Sequence, residues 1–511
     1  MKFFAKRKVE IGLLLFLCIV AFYLRSYGLY RDLLFAYDQG RDAFATQKIL
    51  QGDITLIGPT TGLTGVFLGP FWFYFITPLY LIGSGSPMVA AYVMALFHVG
   101  VVLLLYLFAS KVAGKTAGFA TSILYTFSFS NILFSRWLSN PTTLPFFALL
   151  GFYLLWKAIE EKKLKFFVLS GVVFGICLQL EAANAVWFIP TVALIVLYEY
   201  VILSWKNIQE FRSHKLQPLL QNLFGLGLGG VMTLVPQFIF ELKHNFLVTK
   251  NLIAAFQTTH EKTLSDIFVD RVELLYELYA RGLFVNHHWL FGVTLIFLLG
   301  CIAFYWKQLW SSRGWRMIFL WFVVPLVFHA TYTGNHGNFW DYYILSQHLV
   351  LYLLLVTTFV IVLQQNPKNV ILKLGLGVFV VVSAMLNFAK WTEILQPYEN
   401  RYSLQMQVDE THWMIEQASG EDYGVWVYAP NYQDDPHRYV FSWIGKKTGI
   451  QPKEHVEQQP LIFLAVEEDG YFPARREAWI REKMAFGELL ATKKFGAITV
   501  YKLKNTFIQK Q

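Results

Sequence analysis

Long uncharged runs separated by basic clusters constrain this chain more than anything else in it. They recur from Ile11 to Phe388. Many reach the ~20 residues a helix needs to cross ~30 Å of hydrocarbon. In lipid a segment must satisfy its own backbone hydrogen bonds, and a helix does so alone. Only 15% of the 511 residues are charged, against ~25% in soluble domains. The sequence therefore predicts an α-helical polytopic membrane protein. Its formal charge of +9 reflects Lys and Arg collecting between spans as cytoplasmic anchors, not a nucleic-acid partner. Cys18, Cys177 and Cys301 all lie in apolar runs, so no disulfide framework is expected in the polar tail.

The same Lys and Arg residues set the orientation. Lys2, Lys6, Arg7 and Lys8 precede a first span at about 9–27, and no small-residue cleavage site follows it. The N-terminus is expected in the cytoplasm and the next loop outside. Lys111 and Lys115 then belong inside, so 87–110 must run inward and Val66–Gly83 must not cross. That aromatic stretch, with Pro70 and Pro78, is expected as an interfacial or re-entrant helix. Spans at 116–135, 141–157, 165–180, 185–203, 219–240, 287–306, 315–333, 342–363 and 370–388 complete a set of about eleven. Together they make a transmembrane domain over residues 1–390. Residues 391–511 are charged and lack long apolar runs. There helical patterns at 404–418, 436–448 and 474–485 alternate with strand-like ones at 423–429, 461–466, 489–495 and 497–503. This predicts a small extracytoplasmic α/β domain without a Gly-rich phosphate loop.

The stretch Ala36-Tyr-Asp-Gln-Gly-Arg-Asp-Ala-Phe44 is the first place to look for chemistry. Asp38, Arg41 and Asp42 fall at i, i+3 and i+4, so a helix puts them on one face. Arg41 can pair with Asp38 and keep it ionised. An ionised carboxylate at a membrane face can accept a proton from an incoming group and orient it. Alternatively, Asp38 is a helix N-cap and Arg41 and Asp42 a solvated pair. The pattern leaves both readings open.

The order of pieces around this stretch resembles the GT-C glycosyltransferases, in particular the bacterial protein O-mannosyltransferase and aminoarabinose-transferase group. A basic N-terminus and a span lead to the Asp38 loop. Then come Gly52-Asp-Ile-Thr-Leu-Ile-Gly-Pro59, Gly69-Pro-Phe-Trp-Phe-Tyr74 and Ser84-Gly-Ser-Pro-Met88. The resemblance covers roughly 1–360 in architecture and 30–160 in motifs. It implies sugar transfer from a polyprenyl phosphate outside the membrane, with inversion, onto a protein, lipid or glycan. Asp38 matches the family's proposed base. Gln39 stands where the family has Glu, Asp42 where it has Tyr, and Gly69 where His is common. Asn140, in Ser139-Asn140-Pro141, falls where an Asp is frequent.

The lipid phosphate is the leaving group, so the resemblance implies no nucleotide site and no required cofactor; a divalent cation is left open. The departing phosphate needs cationic or donor groups. Arg136 at a span end is the best placed by sequence, unless it only snorkels. His336, between two glycines, is a candidate phosphate contact. Lys243, His244, Arg281, His287 and His288 lie on the same expected face, and Glu181 sits in an outer turn. A lipid or glycan transporter or flippase is the rival reading. It calls for ionisable residues near mid-span, where only His98 and His329 fall. A non-catalytic scaffold leaves the polar outer loops without a role.

Overall fold

The computed structural model describes residues 2–200, 216–257, 264–332, 338–395, 402–430 and 433–507. His336 and the basic residues Lys206, Arg212 and Lys215 lie outside them. Among the described residues eight helices are long and apolar enough to cross a membrane, nine if one bent pair counts as a span. The two other expected spans, at 165–180 and 315–333, are the helices Leu164–Leu180 and Arg313–Ala330. At the centre runs Asp341–Gln365, with 94% of its apolar window buried. It is buried on every side, as in a helix surrounded by other helices. Gln217–Lys243 is only 11% buried over its window and turns its Leu, Val and Phe side chains outward, where lipid replaces protein contact.

The expected span at 116–135 is not straight. Helices Lys115–Phe127 and Phe129–Ser135 meet at 64°, across the non-helical backbone of Ser128. A break frees carbonyls and amides that lipid cannot satisfy. Here Asn387 Oδ1 accepts from the Phe129 amide at 2.9 Å. Arg25, fully buried, donates to the carbonyls of Tyr125 and Thr126. The basic residue ending the first span therefore serves the bend in another.

Val66–Gly83 contains the helix Phe71–Ile82. Its 12 residues rise about 18 Å, short of the ~30 Å core. Between the expected spans at 219–240 and 287–306 lie the helices Leu247–Gln257 and Leu264–Phe284.

Beyond residue 402 the chain forms helices Leu404–Ala418, Asp435–Thr448 and Pro473–Met484. They alternate with strands β1 (Tyr423–Tyr428), β2 (Leu461–Glu467), β3 (Gly487–Phe495) and β4 (Ile498–Asn505). The sheet order is β1-β2-β4-β3. β1 and β2 pair in parallel through the Asp435–Thr448 crossover, and the other pairs are antiparallel. β2 is the buried strand and reads as a continuous apolar run, as a covered central strand should.

This region packs on the early loops of the membrane part. The Leu404 amide donates to the Leu33 carbonyl, and Gln407 to Phe35. Tyr439 and Trp443 donate to the carbonyls of Gly85 and Ser84. Gly40 is the closest approach: a Cβ there would lie 2.6 Å from the Pro436 nitrogen, so only glycine fits beneath this helix.

Candidate active site

Helix Tyr37–Leu50 carries the cluster. Its N-cap residue is Ala36, which has no side chain able to cap. Gln39 supplies the cap instead: its Oε1 accepts from the Ala36 amide at 3.0 Å, while its Nε2 donates to the Leu138 carbonyl at 2.9 Å. Gln39 is buried. An amide both accepts and donates, which a carboxylate in this place could not. Asp38 is thus relieved of capping and sits in the first turn, where the helix dipole favours an anion. Its side chain is 46% exposed, and its Oδ1 meets Arg41 Nη1 at 2.9 Å.

Arg41 is held from several directions. Its Nε and Nη2 reach Asp42 Oδ1 at 2.9 and 2.7 Å, and its Nη1 donates to Thr60 Oγ1 at 3.0 Å. Asp42 is 2% exposed, so it is not a solvated partner. Its second oxygen accepts from Trp72 Nε1 at 2.6 Å. Burial pushes the Asp42 carboxyl up to about 6, with Arg41 and Trp72 opposing the rise. The Gly69-Pro70-Phe71-Trp72 piece delivers the indole. At Gly69 a Cβ would strike the Gln179 side chain at 2.3 Å, and Gln179 Oε1 accepts from the Phe71 amide. Two motifs that are separate in sequence are therefore one framework around Arg41.

Tyr342 is near enough to Asp38 and Glu181 for both carboxylates to act on it electrostatically. Glu181 caps the Ala182–Ala185 turn through the Ala183 amide. That turn is fixed to the central helix by Asn184, which donates to the Tyr343 carbonyl and accepts from Ser346. Burial pushes Glu181 up to about 7, against the Ala183 hydrogen bond. Arg281, exposed at the surface, acts on Asp341 beside Tyr342.

A family model described as dolichyl-phosphate-mannose-protein mannosyltransferase matches residues 68–216. No curated protein matches the chain. Among solved structures, ArnT from Cupriavidus metallidurans in the apo state aligns with a TM-score of 0.59 at 12% identity, covering 97% of this chain and 98% of that one. The same protein bound to undecaprenyl phosphate aligns with a TM-score of 0.56 at 12% identity, covering 96% and 97%. The chain has the GT-C fold of ArnT.

Within the ArnT fold the sequence-derived candidates separate by position. Asp38, Arg41 and Asp42 form one connected group. Arg136 is buried, and its guanidinium donates to the carbonyls of Arg25 and Tyr27 and pairs with Asp32; it anchors the turn after the first helix. Asn140 is buried and donates to the Leu180 carbonyl, tying two helix ends together. His98 is a satisfied core residue between the Tyr125 hydroxyl and the Thr142 carbonyl. Sequence reasoning did not find Lys48, nor Asp435 and Arg438 from the tail, all of which line a cavity of about 730 Å³ with Arg41. Nothing in the linear order brings residue 438 to residue 41. The Gly40 contact does.

Proposed function

We propose that this chain is an integral-membrane glycosyltransferase. It moves a sugar from a polyprenyl-phosphate donor to a protein, lipid or glycan acceptor, with inversion. The observation that carries the reading is Asp38: a half-exposed carboxylate, freed from capping by Gln39 and oriented by Arg41, itself held by the buried Asp42–Trp72 pair, within an ArnT fold. The family model over 68–216 and the undecaprenyl phosphate bound by ArnT support a lipid-phosphate donor.

In this mechanism Asp38 takes the proton from the acceptor's nucleophilic atom as that atom attacks the anomeric carbon. The bond from that carbon to the phosphate oxygen breaks, and the polyprenyl phosphate departs with its electron pair. Attack opposite the leaving group inverts the centre. Arg281 is the exposed cation beside Asp341 and Tyr342 that meets the phosphate charge, and His336 belongs to the same proposal. Arg41 and Asp42 hold Asp38 in line. Arg136 and Asn140 act at one remove, by fixing the loops that carry the site. The Lys and Arg pattern supports an extracytoplasmic site with a cytoplasmic N-terminus. The docking of the tail on the Tyr37–Leu50 helix supports the same side for residues 391–511, next to a transmembrane part over 1–390.

The test is incubation of the purified protein with a panel of polyprenyl-phosphate sugars, reading lipid-phosphate release by mass spectrometry. Release from at least one donor is expected. A folded, lipid-binding protein that releases none would contradict the proposal.

A further inference from the structure

The tail sheet has two edge strands of opposite character. β3, at one edge, carries Lys493 and Lys494 and a bulge between Leu489 and Ala491. Charges and bulges are what keep an edge from pairing with another chain. β1, at the other edge, reads Tyr-Gly-Val-Trp-Val-Tyr, with no charge and no proline. Its register with β2 is unbroken from Tyr423 to Tyr428. The Tyr423 carbonyl accepts from the Lys453 amide, which lies outside the sheet. Successive residues of a strand turn their backbone groups to opposite sides. Those of Val425 and Val427 therefore face the same way as the Tyr423 carbonyl, away from β2. Among the described residues no hydrogen bond reaches them. β1 is a flat, apolar edge that is open beyond its first residue.

A cavity of about 460 Å³ adjoins this open stretch. It is lined by Val427, Tyr428 and Ala429, by Asp434, and by Arg475, Trp479 and Glu482 of the helix Pro473–Met484. Arg475 is already engaged, by Asp469 and the Pro430 carbonyl at 2.7 Å and by the Tyr428 hydroxyl at 3.0 Å. Asp434 and Glu482 pair with residues outside the lining, Arg438 at 3.9 Å and Lys483 at 2.9 Å. The lining thus offers two carboxylates beside the Tyr428 and Trp479 rings, whose centroids are 5.5 Å apart, and its one guanidinium is neutralised by Asp469. A cation seated here gains both the carboxylates and a ring face.

We propose that the β1 edge and this cavity form a docking site for an extended segment of a partner protein that carries a Lys or Arg. The segment adds to the sheet as a further strand, bonding the Val425 and Val427 backbone groups. Its basic side chain enters the cavity against Trp479, Asp434 and Glu482. The row of backbone donors and acceptors selects a polypeptide over a lipid or a glycan, and the carboxylates select its charge. The proposal does not depend on the transferase reading.

The experiment measures fluorescence anisotropy of a labelled seven-residue peptide, alternating threonine and valine around a central lysine, with the full-length protein in detergent. Saturable binding to the wild type is expected. Val427→Pro removes an outward N–H without touching the β1–β2 ladder, a place where an edge strand tolerates proline. It is expected to weaken binding about tenfold, with an unchanged unfolding temperature. The same peptide N-methylated at alternate backbone positions is expected not to bind the wild type, and this arm decides the matter if Val427→Pro proves unstable. Asp434→Asn/Glu482→Gln is expected to lose about tenfold for the lysine peptide and nothing for a peptide with norleucine in its place. Absence of saturable binding to the wild type would overturn the proposal, as would equal binding of the N-methylated peptide. A wild-type dimer, seen by light scattering, that Val427→Pro splits into monomers would also overturn it, by making the occupant a second copy of this chain.

Discussion

Trp72 Nε1 donates to Asp42 Oδ2 at 2.6 Å, and this bond joins the two most distinctive motifs of the chain. Asp42 is almost wholly buried, so each of its oxygens must be satisfied. One is held by Arg41 and the other by the indole. Trp72→Phe keeps an aromatic ring, though a smaller one, and leaves a buried carboxylate oxygen without its donor, at a cost of about 1–3 kcal/mol. A lowered unfolding temperature and slower transfer are expected together, because Arg41 loses the partner that aims it. An unchanged unfolding temperature would show that the bond carries nothing.

Gly40→Ala tests the seating of the tail. The added Cβ would lie 2.6 Å from the Pro436 nitrogen and 2.7 Å from the Asp435 carbonyl carbon. These are backbone atoms and cannot swing aside as a side chain would. Overpacking of this kind costs about 1–3 kcal/mol. The expected result is a shift of the tail off the Tyr37–Leu50 helix, seen as faster proteolysis between residues 396 and 435. The neighbouring Gly52→Ala is the comparison, since a Cβ there meets nothing within 4 Å, although its φ of +98° makes any substitution strained.

A third prediction concerns pH. His437 lies buried between Glu410 and Glu467, at 2.5 and 2.9 Å. Burial opposes its charge, but the two carboxylates outweigh burial and push it up to about 10 from an ordinary 6.5. The folded state therefore holds this proton where the unfolded chain has lost it. The associated stability is complete below about pH 6.5 and is lost as pH rises through about 10. The unfolding temperature should fall across that window, and His437→Gln should flatten the fall.

Activity should show a different pH limb. Below about 6 the Asp42 carboxyl takes up a proton and its hold on Arg41 weakens, so transfer should decline on the acid side. Glu181, raised to about 7, adds to the same limb if its charge acts through Tyr342. Glu181→Gln should then move the midpoint down towards about 6. A midpoint that stays in place would remove Glu181 from the account.

Much of this was legible in the sequence, for identifiable reasons. Apolar length and Lys/Arg placement are local signals, and they located the helices, including the short Phe71–Ile82 segment that the charge alternation required not to cross. Period switching located the tail's helices and strands. The 64° break at Ser128 was not legible, because the groups that satisfy its freed backbone, Arg25 and Asn387, are distant in sequence. The contacts of Gln39 and Asp42 were not legible for the same reason. Gln39 reads only as a departure from the family's Glu until its bond to the Leu138 carbonyl is seen, and Asp42 stays open between a solvated and a functional reading until Trp72 is seen to bond it. Arg136 reads as an exposed span end, yet its hydrogen bonds close on carbonyls after the first helix. Arg438 could not be seen from sequence at all.

The most direct test is the rate of sugar transfer by Asp38→Asn, measured under single-turnover conditions with bound polyprenyl-phosphate donor. Asparagine keeps the size of the side chain but cannot take the acceptor's proton. The account predicts a fall of about 10²–10⁴-fold, with donor binding and unfolding temperature near those of the wild type. Transfer at the wild-type rate by a folded Asp38→Asn protein would contradict it.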